Sequence, residues 1–230
     1  MKLLFVASII PSLFLMIYIY SKDRIEKEPI WLLIKLFILG ILTVAPAAYA
    51  EGYAGDFVCR LFPGMTKTVA AFIKAFFVVA LIEEGVKYIV LHYFTWDLSD
   101  FNCLFDSVVY SVCISLGFAT LENIFYVFAH GFMTALMRAV TAVPGHTMFA
   151  VFMGVFYGRA KYHSVYGTRI GNFFNKSLAL IAPVVVHGFY DFCLFEATKL
   201  SVTVFYVFLI VLYIVSYNIV KKNSVSDRYI

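Results

Sequence analysis

Residues 69–91 read VAAFIKAFFVVALIEEGVKYIVL. Glu83 and Glu84 stand side by side in a run otherwise dominated by apolar side chains, with Lys87 one helical turn further on. The run matches the roughly 20 residues that a helix needs to cross a bilayer core. A carboxylate at that depth costs roughly +2.5 to +3.5 kcal/mol on insertion scales, and two neighbours cannot both escape by stretching to the surface. The thirteen Leu, Ile, Val and Phe of residues 68–92 offer about −6 kcal/mol, against about +9 for Glu83, Glu84 and Lys87 when all three are charged and central. A helix this marginal needs polar partners on other helices. The motif therefore predicts both a membrane bundle and a functional polar site inside it.

The whole chain fits that reading. Of its 230 residues 63% are hydrophobic and 14% charged, with a mean hydropathy of +0.89, whereas soluble domains average roughly 45–50% apolar and 25% charged. The predicted fold is all-α: a polytopic membrane helix bundle of about seven spans, in a single domain over residues 1–230. The spans fall at about 3–20, 30–50, 68–92, 106–128, 131–158, 177–197 and 202–220, with the core site on the helices of 68–197. The fifth is expected to break near Pro144, because a Pro inside a helical pattern kinks or interrupts it. Such a break is tolerated at membrane depth only where protein or a water-filled cavity satisfies the freed backbone groups.

The first apolar stretch, after Lys2, lacks a small-x-small cleavage site and reads as a retained span rather than a signal peptide. With the N-terminus outside, the inner loops carry ten Lys and Arg (Lys22, Arg24, Lys27, Arg159, Lys161, Arg169, Lys176, Lys221, Lys222 and Arg228) and the outer segments four. The positive-inside rule then predicts N-out and C-in. The net charge of +4 is spread over several loops, with no basic cluster suited to nucleic acid. The four cysteines show no C-x-x-C spacing, so neither a disulfide framework nor a zinc–thiolate site is expected.

Further polar residues recur at membrane depth. Glu83 and Lys87, four apart, share a helix face and can pair, with Glu84 about 100° away; the bland alternative is an ion pair that only fixes packing. The fourth span carries Glu122, followed by Asn123, and carboxylates on separate helices can meet only in the bundle interior. His146 follows the Pro-Gly break, and Arg138, two turns before it, reads as a structural partner of a carboxylate or of the broken-helix carbonyls, outside the core site. His187 and Asp191 are four apart on one face of the sixth span, so the carboxylate can orient the imidazole. Each of these has a packing alternative as an interhelical hydrogen bonder.

There is no G-x-S-x-G, no His-Glu-x-x-His and no cysteine in a nucleophilic setting. What remains suits the activation of water. Desolvated carboxylates such as Glu83 and Glu122 can act as general bases, and His187 or His146, with Asp191 or Asn123, can stabilise an oxyanion. The same residues can instead ligate zinc with an open position for water, or relay protons in a coupled transporter.

Glu-Glu-x-x-Lys at 83–87, Phe-x-x-x-Glu at 118–122, His146 and His-x-x-x-Asp at 187–191, in this order on successive spans, resemble the PrsW family of glutamic-type intramembrane proteases. The first loop, Tyr-Ser-Lys-Asp-Arg-Ile-Glu-Lys-Glu-Pro at 20–29, is also similar to that family's. The family is distantly related to the CAAX-prenyl endopeptidases, which carry Glu-Glu-x-x-x-Arg and Phe-x-x-x-His; Lys87 and Glu122 favour the PrsW branch. The resemblance covers about residues 1–200. It implies a protease of the bacterial plasma membrane that makes the first cut in a single-pass membrane anti-sigma factor, on its extracytoplasmic side, in stress signalling. The site implied is Glu83, Glu84, Glu122, His146, His187 and Asp191, supported by Lys87, Asn123 and Arg138. No cofactor is expected on this reading, zinc being the alternative.

Overall fold

The computed structural model describes residues 1–230 and is helical almost throughout, without a sheet. The helices are α1 (Lys2–Lys22), α2 (Ile30–Leu61), α3 (Lys67–Ile73), α4 (Leu81–Thr95), α5 (Asp106–His130), α6 (Phe132–Val140), α7 (Ala142–Val165), α8 (Arg169–Glu196) and α9 (Lys199–Val225). A π-helical stretch, Lys74–Ala80, joins α3 to α4 without leaving helical backbone, so residues 67–95 form one rod. Six helical segments are long and apolar enough to cross a membrane, α6 and α7 counting as one. The 67–95 rod makes the seventh pass; its π stretch divides it, and its charged side chains dilute its hydropathy. The chain is a multi-pass membrane protein.

The predicted spans lie within these helices, but two boundaries moved. The second span was read as ending at residue 50, yet α2 runs on to Leu61. Its 32 residues reach about 48 Å at 1.5 Å per residue, well beyond a bilayer core of about 30 Å. The fifth breaks at Thr141, three residues before Pro144, whose ring falls in the first turn of α7. A proline is tolerated there because its missing N–H has no intrahelical partner in any case. The break turns α6 aside and leaves His146 at the start of a fresh helix.

The bundle is built around α5. Every residue from Asp106 to Thr120 is buried, as expected of a helix enclosed on all sides. It packs against α1, α2, α4 and α7. By contrast the outward faces of α1, α2, α8 and α9 expose Phe14, Ile38, Ile181 and Ile210, which suits contact with lipid. Between lipid-bathed helices the hydrophobic effect gives little, so close packing of small residues carries the association. Gly40 and Gly117 show this at the α2–α5 crossing, where a Cβ on either would come within 2.0 Å of a carbonyl oxygen, that of Ile114 or of Phe37.

A paired comparison tests that contact. Gly117→Ala is expected to destabilise by about 1–3 kcal/mol, as overpacking does. Gly85→Ala, at a glycine with open space around it, should be neutral or stabilise slightly, since Ala favours helix by about 1 kcal/mol. Thermal unfolding of the two purified variants in one detergent reads the difference.

The connections alternate between two ends of the bundle. One end carries loops 23–29, 96–105 and 166–168 and the C-terminal tail; the other carries 62–66, Gly131, Thr141 and 197–198.

Candidate active site

Four elements bring their polar residues to one place: α4 supplies Glu83, Glu84 and Lys87, α5 Glu122 and Asn123, α7 His146, and α8 His187 and Asp191. The Lys87 Nζ lies 3.0 Å from Glu83 Oε2, 2.8 Å from Glu84 Oε1 and 3.3 Å from His146 Nδ1. The other nitrogen of His146 is 3.0 Å from Glu122 Oε2, which also accepts from Arg138 Nη2 at 2.8 Å. Arg138 Nε donates to Asn123 Oδ1 at 2.9 Å, and Asn123 Nδ2 donates to the Ser8 carbonyl of α1 at 2.8 Å. On the other side His187 Nδ1 is 2.9 Å from Glu84 Oε1 and Nε2 is 3.4 Å from Asp191 Oδ2. One continuous polar network thus crosses the bundle.

Burial makes this network consequential. Glu84 is 0%, Lys87 1%, His187 4% and Glu83 6% exposed. Removing one partner of such a set leaves a buried charge uncompensated, far costlier than losing a surface ion pair. Phe149 stacks on His187 at 4.6 Å between centroids and 17° between planes, and Phe118 lies beneath Lys87 Nζ at 4.1 Å. These aromatic walls hold the imidazole and the ammonium in place.

The network opens on a cavity of about 400 Å³. Glu83, Glu122, Arg138, His146, His187 and Asp191 line it, together with Glu51, Lys74, Tyr126, Thr141 and Tyr190. Glu84 and Asn123 do not; they stand behind the wall. Lys87 engages Glu83 through Oε2, and Glu122 receives both its partners on Oε2. Each carboxylate therefore keeps its second oxygen for the cavity.

The structure brings together all nine residues singled out from the sequence, with two differences in detail. Glu84 does not point away from the Glu83–Lys87 pair: at i and i+3 it reaches the same ammonium, and it holds His187 as well. Arg138 is a direct partner of Glu122. Glu51 and Lys74 escaped the sequence reading. Glu51 fell one residue beyond the assumed end of the second span, and a longer span would have flagged it as a fourth intramembrane acid. Lys74 sits within the quoted 69–91 run itself, where the glutamates drew the eye.

A metal ion can be tested against this donor set. Atoms of Glu83, Glu84 and His146 lie within 4.8 Å of one another, and Glu84 Oε2 is buried with no hydrogen-bond partner. Against a metal, the Lys87 ammonium already touches all three residues. One cation at their centre excludes another. As packed, these residues do not fit a metal ion.

A multi-pass helical membrane protein whose carboxylates and imidazoles surround a small cavity has the construction of an intramembrane hydrolase. Residues 28–217 match a family described as "PrsW family intramembrane metalloprotease", and the chain belongs to the PrsW family of intramembrane proteases. It is 36% identical to Protease PrsW of Oceanobacillus iheyensis over 96% of this chain and 97% of that protein. It is 36% identical to Protease PrsW of Geobacillus kaustophilus over 82% of this chain and 78% of that protein, and 32% identical to that of Bacillus subtilis over 87% and 85%. No solved structure matches this chain. The protein is a membrane peptidase, and its membership in a protease family answers the transporter alternative.

Proposed function

We propose that the protein hydrolyses a peptide bond of a single-pass membrane protein with water activated by Glu83 and Glu122, and without a metal ion. The observation that carries this reading is the cavity onto which both carboxylates and both imidazoles face. A water between the two glutamates loses a proton to the free oxygen of Glu83 as it attacks the carbonyl carbon. His187, fixed through Nδ1 by Glu84, turns its Nε2–H from the long 3.4 Å contact with Asp191 to the oxyanion that develops, while His146, held between Lys87 and Glu122, links the two glutamates' partners beside it. A donor already held at the cavity wall needs little reorganisation as charge builds up, the usual source of large rate gains. The leaving amine then takes its proton back from the glutamic acid.

Glu84 has a different task on this reading. It lies outside the cavity and binds Lys87 and His187, so it positions the water-activating apparatus rather than touching substrate.

The family resemblance points to an anti-sigma factor as the substrate and to the first cut of a stress-signalling cascade as the step. On this reading the cavity's end of the bundle faces the extracytoplasmic side of the bacterial plasma membrane, which the excess of Lys and Arg at the opposite end supports. Co-expression with a single-pass anti-sigma factor, followed by immunoblotting for a truncated product, tests both points. A product retaining the complete cytoplasmic domain and membrane span supports this reading; a cut on the cytoplasmic side overturns the orientation.

A zinc-dependent mechanism is the second reading, favoured by the family description and by the partnerless oxygen of Glu84. The two readings separate cleanly. Purified enzyme is expected to keep its full cleavage rate after exhaustive chelation and to contain no stoichiometric metal by elemental analysis. Loss of activity on chelation, restored by zinc, would show that Lys87 moves aside for the ion.

A further inference from the structure

At the other end of the bundle three acidic side chains converge without an ion pair to any of their carboxylates. Asp23 ends α1, Glu28 lies in the loop before α2, and Asp106 begins α5. They are 1%, 5% and 1% exposed, and one oxygen from each lies within 4.8 Å of the others. No Lys, Arg or His nitrogen comes within 4.0 Å of their carboxylate oxygens; the Lys27 ammonium stands close by but donates to the main-chain carbonyl of Asp23. This is the reverse of the active site, where every buried carboxylate has a basic partner.

Two of the three are held in position by neutral donors. Tyr110 donates its hydroxyl to Glu28 Oε2 at 2.7 Å, and the backbone amides of Asn102 and Cys103 donate to Asp106 Oδ2 at 3.0 and 2.6 Å. Asp23 is different: both its carboxylate oxygens are buried and neither has a hydrogen-bond partner. The Glu28 amide is near enough to favour its charged form without making a bond of normal geometry. A buried carboxylate with two idle oxygens, set against two others, calls for a positive ion. The side-chain oxygen of Asn102, whose backbone amide reaches Asp106, is also buried and unpartnered.

We propose that Asp23, Glu28 and Asp106 bind a hard divalent cation of the Mg²⁺ or Ca²⁺ kind. The donors are all oxygens, with no imidazole or thiolate, which selects hard ions over zinc or copper. Asp23 can offer both oxygens, and the neutral donors on Glu28 and Asp106 fix the remaining ligands as a supporting shell does in known sites.

The cluster sits where three chain segments meet. The α1–α2 loop brings Asp23 and Glu28, and residues 102–106 bring Asp106. The C-terminal tail closes over them: the Leu104 amide donates to the Arg228 carbonyl, the Ile230 amide to that of Asn102, and the Phe105 amide to Asp227 Oδ1. A cation here would tie the first loop to α5 and the tail to both. It is not the active site: Asp106 and Glu122 are separated by 16 residues of α5, about 24 Å along the helix.

Thermal unfolding of the purified full-length protein in detergent tests the site, after dialysis against chelator and during titration with Ca²⁺ or Mg²⁺. A saturable rise in Tm with at least one of these ions is expected, accompanied by about one ion per chain in equilibrium dialysis. Asp23→Asn should abolish the rise while leaving cleavage activity unchanged, and Glu83→Gln should retain it, which separates this site from the active centre. The dialysis measurement needs no variant, so it decides the matter even if Asp23→Asn fails to fold. Absence of saturable binding of either ion up to millimolar concentration would overturn the proposal, as would binding that survives Asp23→Asn but is lost in Glu83→Gln.

Discussion

Glu83→Gln is expected to lower peptide-bond cleavage about 10²–10⁴-fold, the range typical of removing a positioned general base, while the protein still accumulates in the membrane. Glutamine keeps the size of the side chain but cannot take a proton from water. The fold should survive because Lys87 keeps Glu84 as a partner at 2.8 Å. Glu122→Gln is expected to be similarly inactive, since Glu122 presents its other oxygen to the cavity and holds His146. His187→Ala removes an oxyanion donor, for which losses of about 10²–10³-fold are usual. The readout is cleavage of a co-expressed single-pass substrate, with membrane content of each variant measured in parallel. Full activity in all three variants would sink the glutamate-water mechanism.

Glu84→Gln supplies the contrast in the same assay. Because Glu84 lies behind the cavity wall and accepts from Lys87 and His187 on one oxygen, its variant should lose more thermal stability than Glu83→Gln and less activity. Equal activity losses in the two would remove the distinction drawn between them.

The second large effect is on stability. Lys87→Met is expected to destabilise the protein by about 3–5 kcal/mol, because it leaves two carboxylates, 0% and 6% exposed, without their shared cation. Methionine preserves the length and apolar bulk of the lysine stem, so the loss reports charge rather than packing. A triple variant, Lys87→Met with Glu83→Gln and Glu84→Gln, should recover much of that stability, since breaking a buried pair costs more than replacing it with neutral groups. It should recover no activity. Thermal or denaturant unfolding in detergent measures both, and a triple variant no more stable than Lys87→Met would contradict the electrostatic account.

Much of this protein was legible before its structure. Long apolar segments declare membrane helices because a bilayer leaves the backbone no other way to satisfy itself, and apolar runs marked six strongly hydropathic passes and the more charged 67–95 rod. The buried acids were equally visible: an acid deep in an apolar run is too costly to be incidental. Glu51 was missed because hydropathy fades at a helix end, where it says little about how far the helix continues; α2 runs eleven residues past residue 50. The acidic cluster at Asp23, Glu28 and Asp106 was invisible for another reason. Asp23 and Glu28 fall in a polar loop and Asp106 at the first residue of a span, where carboxylates are ordinary, and only folding buries them together.

Local chemistry, read along the chain, thus determined the class of fold and picked out nine polar residues that the structure brings together, because insertion energy is additive over a helix and each polar residue carries its own cost. The tertiary structure alone decided who pairs with whom. That Lys87 binds both Glu83 and Glu84, that His146 bridges Lys87 to Glu122, and that Glu84 rather than Glu83 holds His187 depend on helix crossings and on the break at Thr141. Those are set by small residues such as Gly40 and Gly117 meeting backbone across an interface. Contacts between residues as far apart as Glu84 and His187 are properties of packing, and no spacing within one helix encodes them.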